Sequence, residues 1–123
     1  MPIVGVGNDP TKKAQVFNQA GAKACLLVFV TDTYQKVSGP AVTLMLNKFD
    51  ADATAADKKT MIGYPIYALL EDANMKALWK EFDPDLYVPG FVFTYPDGSH
   101  TGIKYIGLPT PDELIDRLSL VVP

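Results

Sequence analysis

The chain has 123 residues, which fits a single domain (1–123) with its own hydrophobic core. Its composition, 48% hydrophobic and 20% charged, is that of an ordinary globular protein, and the net charge of −3 argues against a nucleic-acid partner. No apolar run is long enough to span a bilayer and no secretory signal is recognised, so we expect a cytoplasmic protein without a membrane partner. The single cysteine, Cys25, excludes an internal disulfide.

The amino-terminal segment predicts a strand followed by a helix. Ile3 to Gly7 is a short strand pattern weakened by glycine. Asp9 with Pro10 is typical of the start of a helix, and we expect this helix to end at Gly21. The two glycines of the strand do not begin a dinucleotide-binding loop, because the third glycine of that pattern would fall on Pro10. We therefore expect no nucleotide cofactor.

The next segment predicts a buried strand and a second helix. Ala24 to Val30 is continuously apolar, which is typical of a central strand covered on both faces. The helix contains Pro40, and either Ser38 caps it or it begins earlier and is kinked at the proline. Its predicted core face consists of Ala41, Leu44, Met45 and Phe49.

A third strand and a short helix follow. Ile62 to Leu70 has a strand pattern, and Pro65 within it marks an edge, a bulge or a strand entry. Asp72 or Asn74 caps the helix in this prediction. The apolar face of that helix consists of Met75, Leu78, Trp79 and Phe82.

The last third predicts a hairpin and a final helix. Strands at Phe91 to Thr94 and Thr101 to Ile106 flank a Pro96-Asp-Gly98 turn, and Thr110 to Glu113 is a capping box. The core face of the final helix is predicted at Leu114, Ile115, Leu118 and Val121. The resulting order, β-α-β-α-β-α-β-β-α, predicts an α/β fold with a mixed sheet of about five strands and helices on both faces.

This order and several motifs resemble the thioredoxin-like superfamily. The motifs are Val88-Pro89 before an apolar strand, the Pro96-Asp-Gly98 turn, Tyr105-Ile-Gly107 at the end of a strand, and a capped last helix. Upstream, a strand from Cys25 to Val30 leads into a helix containing Pro40. The resemblance implies a thioredoxin fold in which Pro89 follows a cis bond and the backbone of Val88 faces a peptide-binding groove.

The chemistry of that family is missing from this sequence. Its Cys-x-x-Cys motif would fall on Asp32-Thr-Tyr-Gln35, and the buried aspartate of its central strand on Leu26. Cys25 lies inside the apolar strand, on the order of 20 Å from the usual site, where burial makes a thiol inert. We therefore predict no catalytic residue and no enzyme activity.

The sequence leads to one preferred function and two alternatives. The preferred function is that of a redox-inactive adaptor, chaperone-like module or structural subunit of a larger assembly, which binds a protein partner. The alternatives are a thiol oxidoreductase or peroxidase-like enzyme that uses Cys25, and a small-molecule binder that uses the aromatic second half. His100, alone in a turn, and the scattered acids predict no catalytic role and no metal site. The predicted partner groove consists of Thr31, Asp32, Thr33, Tyr34, Val88, Pro89, Gly107 and Leu108.

Overall fold

A computed structural model describes residues 3–4, 21–58, 60–67, 80–81 and 89–123 of the chain. In chain order, the elements are β1 (Ile3–Val4), β2 (Ala24–Val30), α1 (Asp32–Ala55), β3 (Thr60–Tyr67), β4 (Gly90–Thr94), β5 (His100–Ile106) and α2 (Pro111–Leu118).

The strands are joined side by side in the order β1-β3-β2-β4-β5. β3 pairs in parallel with β1 and β2, whereas β2, β4 and β5 form an antiparallel unit. β2 therefore has a hydrogen-bonded strand on each side, which fits its continuous apolar sequence.

The core lies between one face of this sheet and both helices. Alternate β2 residues, including Leu26 and Val28, pack there, and the Phe49 ring of α1 meets the Phe93 ring of β4 edge to face, with centroids 6.1 Å apart. α1 contacts α2, so the two helices share this face of the sheet. The alternate β2 residues that point to the other face are also fully buried: Cys25, Leu27 and Phe29.

The fold class predicted from the sequence, a thioredoxin fold with helices on both faces of a mixed sheet, is wrong. Over the described residues the element order is β-β-α-β-β-β-α, both helices lie on one face, and β2, β4 and β5 form a three-stranded antiparallel unit. The error has a physical source in β2. A continuous apolar run reports burial on both faces, and it does not report whether the neighbouring strands are parallel or what covers each face.

α1 begins earlier than its proline suggests and exposes a different face from the one predicted. Of the two starts considered, the earlier is correct: the helix begins at Asp32 and contains Pro40. Met45 and Phe49 are buried as predicted, but Ala41 is exposed and Leu44 is 74% exposed. Apolar residues occur on both sides of α1, so their spacing does not define one core face. The other buried apolar side chains described in α1 are Val42, Leu46 and Ala53, and Gly39 is buried as well.

β3 contains a bulge at its proline. Leu27 of β2 pairs with Gly63, and Phe29 pairs with Ile66, so the β3 segment between these partners is one residue longer. Pro65 lies in this segment. Of the three roles considered for Pro65, the bulge is the one found, since a bulge tolerates the missing N–H of proline.

The hairpin and the last helix are confirmed, because short-range chemistry determines both. The Gly98 N–H donates to Tyr95 O at 2.8 Å, and Gly98 has a φ of 88°, which favours glycine. Asp97 accepts hydrogen bonds from the N–H and hydroxyl of Ser99, which hold the pKa of Asp97 below its usual value. In α2, Leu114 and Leu118 are buried and Ile115 is partly buried, whereas Val121 lies beyond the end of the helix.

Three predictions lie outside the described residues: residues 9–20 of the first helix, the apolar face of the short helix capped at Asp72 or Asn74, and the conformation of Val88. Within the described ranges, none of the helices has the length and apolar character needed to cross a bilayer.

Candidate functional site

The ends of three strands meet on one side of the sheet. Phe29, near the end of β2, pairs with Gly90 at the start of β4, and Gly90 pairs with Ile106 at the end of β5. Just beyond this row, the Gly107 N–H donates to Pro89 O at 3.0 Å. We call this region the Pro89 end; it consists of Thr31, Thr33, Tyr34, Pro89, Ile106, Gly107 and Leu108. The opposite end of the sheet carries the hairpin turn.

Thr31 fixes the start of α1 at the Pro89 end. Its backbone is extended, with φ −87° and ψ 162°, and its hydroxyl accepts a hydrogen bond from the Tyr34 N–H at 3.2 Å. This is an N-cap, which supplies a partner for a backbone donor at the helix start. Asp32 to Gln35 therefore form the first turn of the helix after the central strand, which is the position that the resemblance assigned to them.

The predicted groove residues differ in accessibility. Thr33 is exposed and Leu108 is 44% exposed, whereas Pro89 is buried and Tyr34 packs partly against the core. The structure thus brings most of the predicted residues to one end of the sheet, but only part of the set is available to a partner. Val88 and the Asp32 side chain lie outside the description.

Gly107 forms a bend immediately after β5. Its φ is 92°, a region that other L-residues rarely adopt. A Cβ atom placed on Gly107 would meet no atom within 4 Å, so the backbone angle and not lack of space requires glycine. The turn leaves Leu108 exposed while the following Pro109 is buried.

The thiol of Cys25 lies near the other end of β2. Cys25 pairs with Thr94, four residues along β4 from the Gly90 position, and its side chain is fully buried. Burial raises the pKa of Cys25 to about 11, although a hydrogen bond with the Thr94 side chain opposes the shift. At pH 7 about one such thiol in ten thousand is ionised. This environment disfavours thiol chemistry, because the thiolate is the nucleophile.

His100 also lies away from the Pro89 end. It begins β5, next to the hairpin turn, and its Nε2 is 3.7 Å from a carboxylate oxygen of Glu81, with both side chains about half exposed. Nowhere in the described ranges do three His, Cys, Asp or Glu side chains come together in a way that could hold a metal ion.

A shallow depression of about 500 Å³ lies beside α1. Five α1 residues line it: Gly39, Pro40, Thr43, Leu44 and Asn47. None of these side chains titrates near neutral pH, so among the described residues the depression offers neither a general acid nor a general base.

Sequence reasoning missed Ile106 as part of this region. Along β5, exposed and half-buried residues alternate, and the exposed positions are His100, Gly102, Lys104 and Ile106. Ile106 is 40% exposed, so an apolar residue occupies a position where the alternation predicts a polar one. That departure from the strand pattern is the signal that could have identified it.

A scan against protein-family models finds no match for this chain, and a search of curated proteins finds none either.

Proposed function

We propose that this protein acts without catalysis, by binding a protein partner at the Pro89 end of its sheet. The observation that carries the proposal is that Ile106 and Leu108, two residues apart in the chain, are both exposed where the strand ends meet. Exposed apolar side chains mark interaction sites where they form a contiguous patch. An adaptor, a chaperone-like module and a structural subunit of an assembly all use such a surface.

The environment of Cys25 supports binding over thiol catalysis. An oxidoreductase or peroxidase-like enzyme needs an accessible, ionised thiol, and Cys25 is buried with a raised pKa at a distance from the Pro89 end. The chain contains no other cysteine.

The membership of the thioredoxin-like superfamily and the cytoplasmic location remain predictions. The first rests on the Val88-Pro89 and Pro96-Asp-Gly98 motifs. The second rests on the sequence patterns described above, and the single, buried cysteine is compatible with a reducing compartment.

Co-purification with matched surface variants tests the proposed function. Tagged wild-type protein and its Leu108→Arg and Tyr34→Ala variants are used to capture partners from the native cell extract, which are then identified by mass spectrometry. Leu120→Arg is the control, because Leu120 is 68% exposed and follows α2, at the opposite end of the sheet. We expect Leu108→Arg to lose partners that the control retains. Equal recovery with all variants would exclude the Pro89 end as the binding surface.

A further inference from the structure

The hydrogen-bond pattern of β5 determines which of its backbone groups face outward. Because Gly107 donates to Pro89 O, these two residues form a hydrogen-bonded pair of the antiparallel ladder. Hydrogen-bonded and non-hydrogen-bonded pairs alternate along such a ladder. Ile106, opposite Gly90, is therefore in a non-hydrogen-bonded pair, and its N–H and C=O point away from β4.

A hydrogen bond at Lys104 supports this orientation independently. Lys104 is two residues from Ile106 and has the same orientation, so its C=O is also expected to point outward. The Arg117 Nε of α2 donates to that carbonyl at 3.3 Å, from outside the β4–β5 pair. The outward direction at Ile106 thus follows from one contact on each side of it.

The upstream part of the β5 edge carries the features that normally prevent strand addition. Gly102 has a φ of 75°, and the pairing register shifts between Val92 and Thr94, so the edge is irregular there. Lys104 adds a charge, and Arg117 occupies its carbonyl. Natural edge strands use bulges and charged residues in this way to avoid pairing with other chains.

The downstream end of the same edge has no charged side chain and no side chain bound to its outward carbonyl in the described structure, and its positive-φ glycine, Gly107, comes only after the last residue of β5. Ile106 is the last residue of β5, is apolar and 40% exposed, and Leu108, two residues further along the chain, is also exposed. Among the described strands, β5 is also the outermost on its side of the sheet. The protection of the edge therefore stops where the proposed partner surface begins.

We propose that Ile106 receives an extended, apolar segment of the partner, which adds to the edge of β5 as a short further strand. The proposal rests on the proposed function and specifies how the partner is recognised. An outward N–H and C=O on one strand match the spacing of another extended backbone, and Ile106 and Leu108 offer contacts for apolar side chains. Because the open edge is short, the affinity comes from both kinds of contact together.

Hydrogen exchange and peptide titration test the proposal by NMR. The probe is a short peptide of alternating valine and threonine, and its control is the same sequence with N-methylated alternate residues, which cannot donate from the pairing edge. In free protein, the Ile106 amide should exchange rapidly and the neighbouring Tyr105 amide slowly. The unmethylated peptide should slow exchange at Ile106 by about tenfold or more at saturation, and the methylated peptide should not.

Two variants separate the backbone from the side chain. Ile106→Pro removes the outward N–H without removing a ladder hydrogen bond, so the protein should fold and lose the peptide response. Ile106→Ala keeps the N–H but loses most of the apolar side chain, so it should bind the peptide more weakly than wild type. If the proline variant does not fold, the alanine variant still tests whether Ile106 contributes to peptide binding. The proposal is overturned if amide exchange at Ile106 does not change with peptide, or if both peptides slow it equally. It is also overturned if Ile106 becomes protected at high protein concentration without peptide, because that result indicates pairing with a second copy.

The same variants distinguish this proposal from the proposed function. If natural partners are lost with Leu108→Arg but retained by Ile106→Pro, the Pro89 end binds partners without strand addition. If both variants retain them, the proposed function itself fails.

Discussion

Asp57 is the residue at which the described backbone departs most clearly from its preferred geometry. α1 ends in a Schellman motif, in which the Asp57 N–H bonds to Thr54 O at 3.0 Å and the Lys58 N–H to Ala53 O at 2.8 Å. Asp57 has a φ of 57°, in the left-handed region where glycine is preferred. We expect Asp57→Gly to raise the free energy of unfolding by about 0.5–1 kcal/mol, measured by urea denaturation.

The ion pair of Asp57 does not reverse this expectation. Lys23 Nζ is 3.3 Å from its carboxylate, but the Asp57 side chain is 82% exposed, and exposed pairs contribute little. Lys23 also donates to the Asp57 carbonyl at 2.8 Å, a bond that glycine retains. Asp57→Ala, which loses the carboxylate and keeps the positive φ, should be less stable than wild type. A glycine variant no more stable than the alanine variant would contradict the prediction.

Cys25 provides a second prediction at the scale of one residue. Its burial and its pKa of about 11 predict slow reaction with a thiol reagent at pH 7 in native protein and rapid reaction after denaturation. The rate is followed by the absorbance of the released thiolate, with the urea-unfolded protein as reference. Native labelling as fast as unfolded labelling would restore the thiol-enzyme hypothesis.

At the scale of a single element, the core face of α1 differs from the one that the spacing of its apolar residues predicts. Leu46 is fully buried and Leu44 is 74% exposed, although both are leucines in the middle of the same helix. Leu46→Ala should lower the free energy of unfolding by about 2–5 kcal/mol, whereas Leu44→Ala should change it by less than about 0.5 kcal/mol. Similar losses in both variants, measured by denaturant unfolding, would contradict the orientation of α1.

α2 is attached to β5 through the carboxylate of Glu113, and we expect this attachment to depend on pH. The Tyr105 hydroxyl donates to Glu113, and the Thr110 N–H donates to the same carboxylate at 3.0 Å. These hydrogen bonds hold the pKa of Glu113 below its ordinary value of 4.5, with the Tyr105 hydroxyl as the largest cause. A lowered folded-state pKa contributes stability above pH 4.5, and the contribution is lost as the pH falls through the folded-state pKa.

Glu113→Gln should therefore be less stable than wild type at pH 7 and nearly equal to it at low pH. The measurement is the free energy of unfolding as a function of pH for both proteins. Asp112→Asn is the matched control, because Asp112 is exposed in the same first turn of α2. A wild-type and Glu113→Gln difference that stays constant below pH 4.5 would exclude Glu113 as the source of the pH dependence.

For the whole molecule, the sequence predicts what neighbouring residues determine and misses what distant contacts determine. The turn at Gly98 and the cap at Thr110 were predictable because their partners lie within a few residues. The orientation of Leu44 and the outward edge at Ile106 were not, because each depends on which element packs beside it. The candidate site has the same division: its residues were named from a resemblance, and their unequal exposure required the fold.

The position of β2 predicts how the molecule unfolds. β2 pairs on both sides and is buried throughout, whereas β5 pairs within the described sheet on one side only. The amides of β2 should exchange only when the whole domain unfolds, so their free energy of exchange should equal that from denaturant unfolding. Leu26→Ala should lower both quantities equally, by about 2–5 kcal/mol, because Leu26 is fully buried in the core. Exchange in β2 through a smaller opening, unaffected by Leu26→Ala, would contradict its place at the centre of a single cooperative unit.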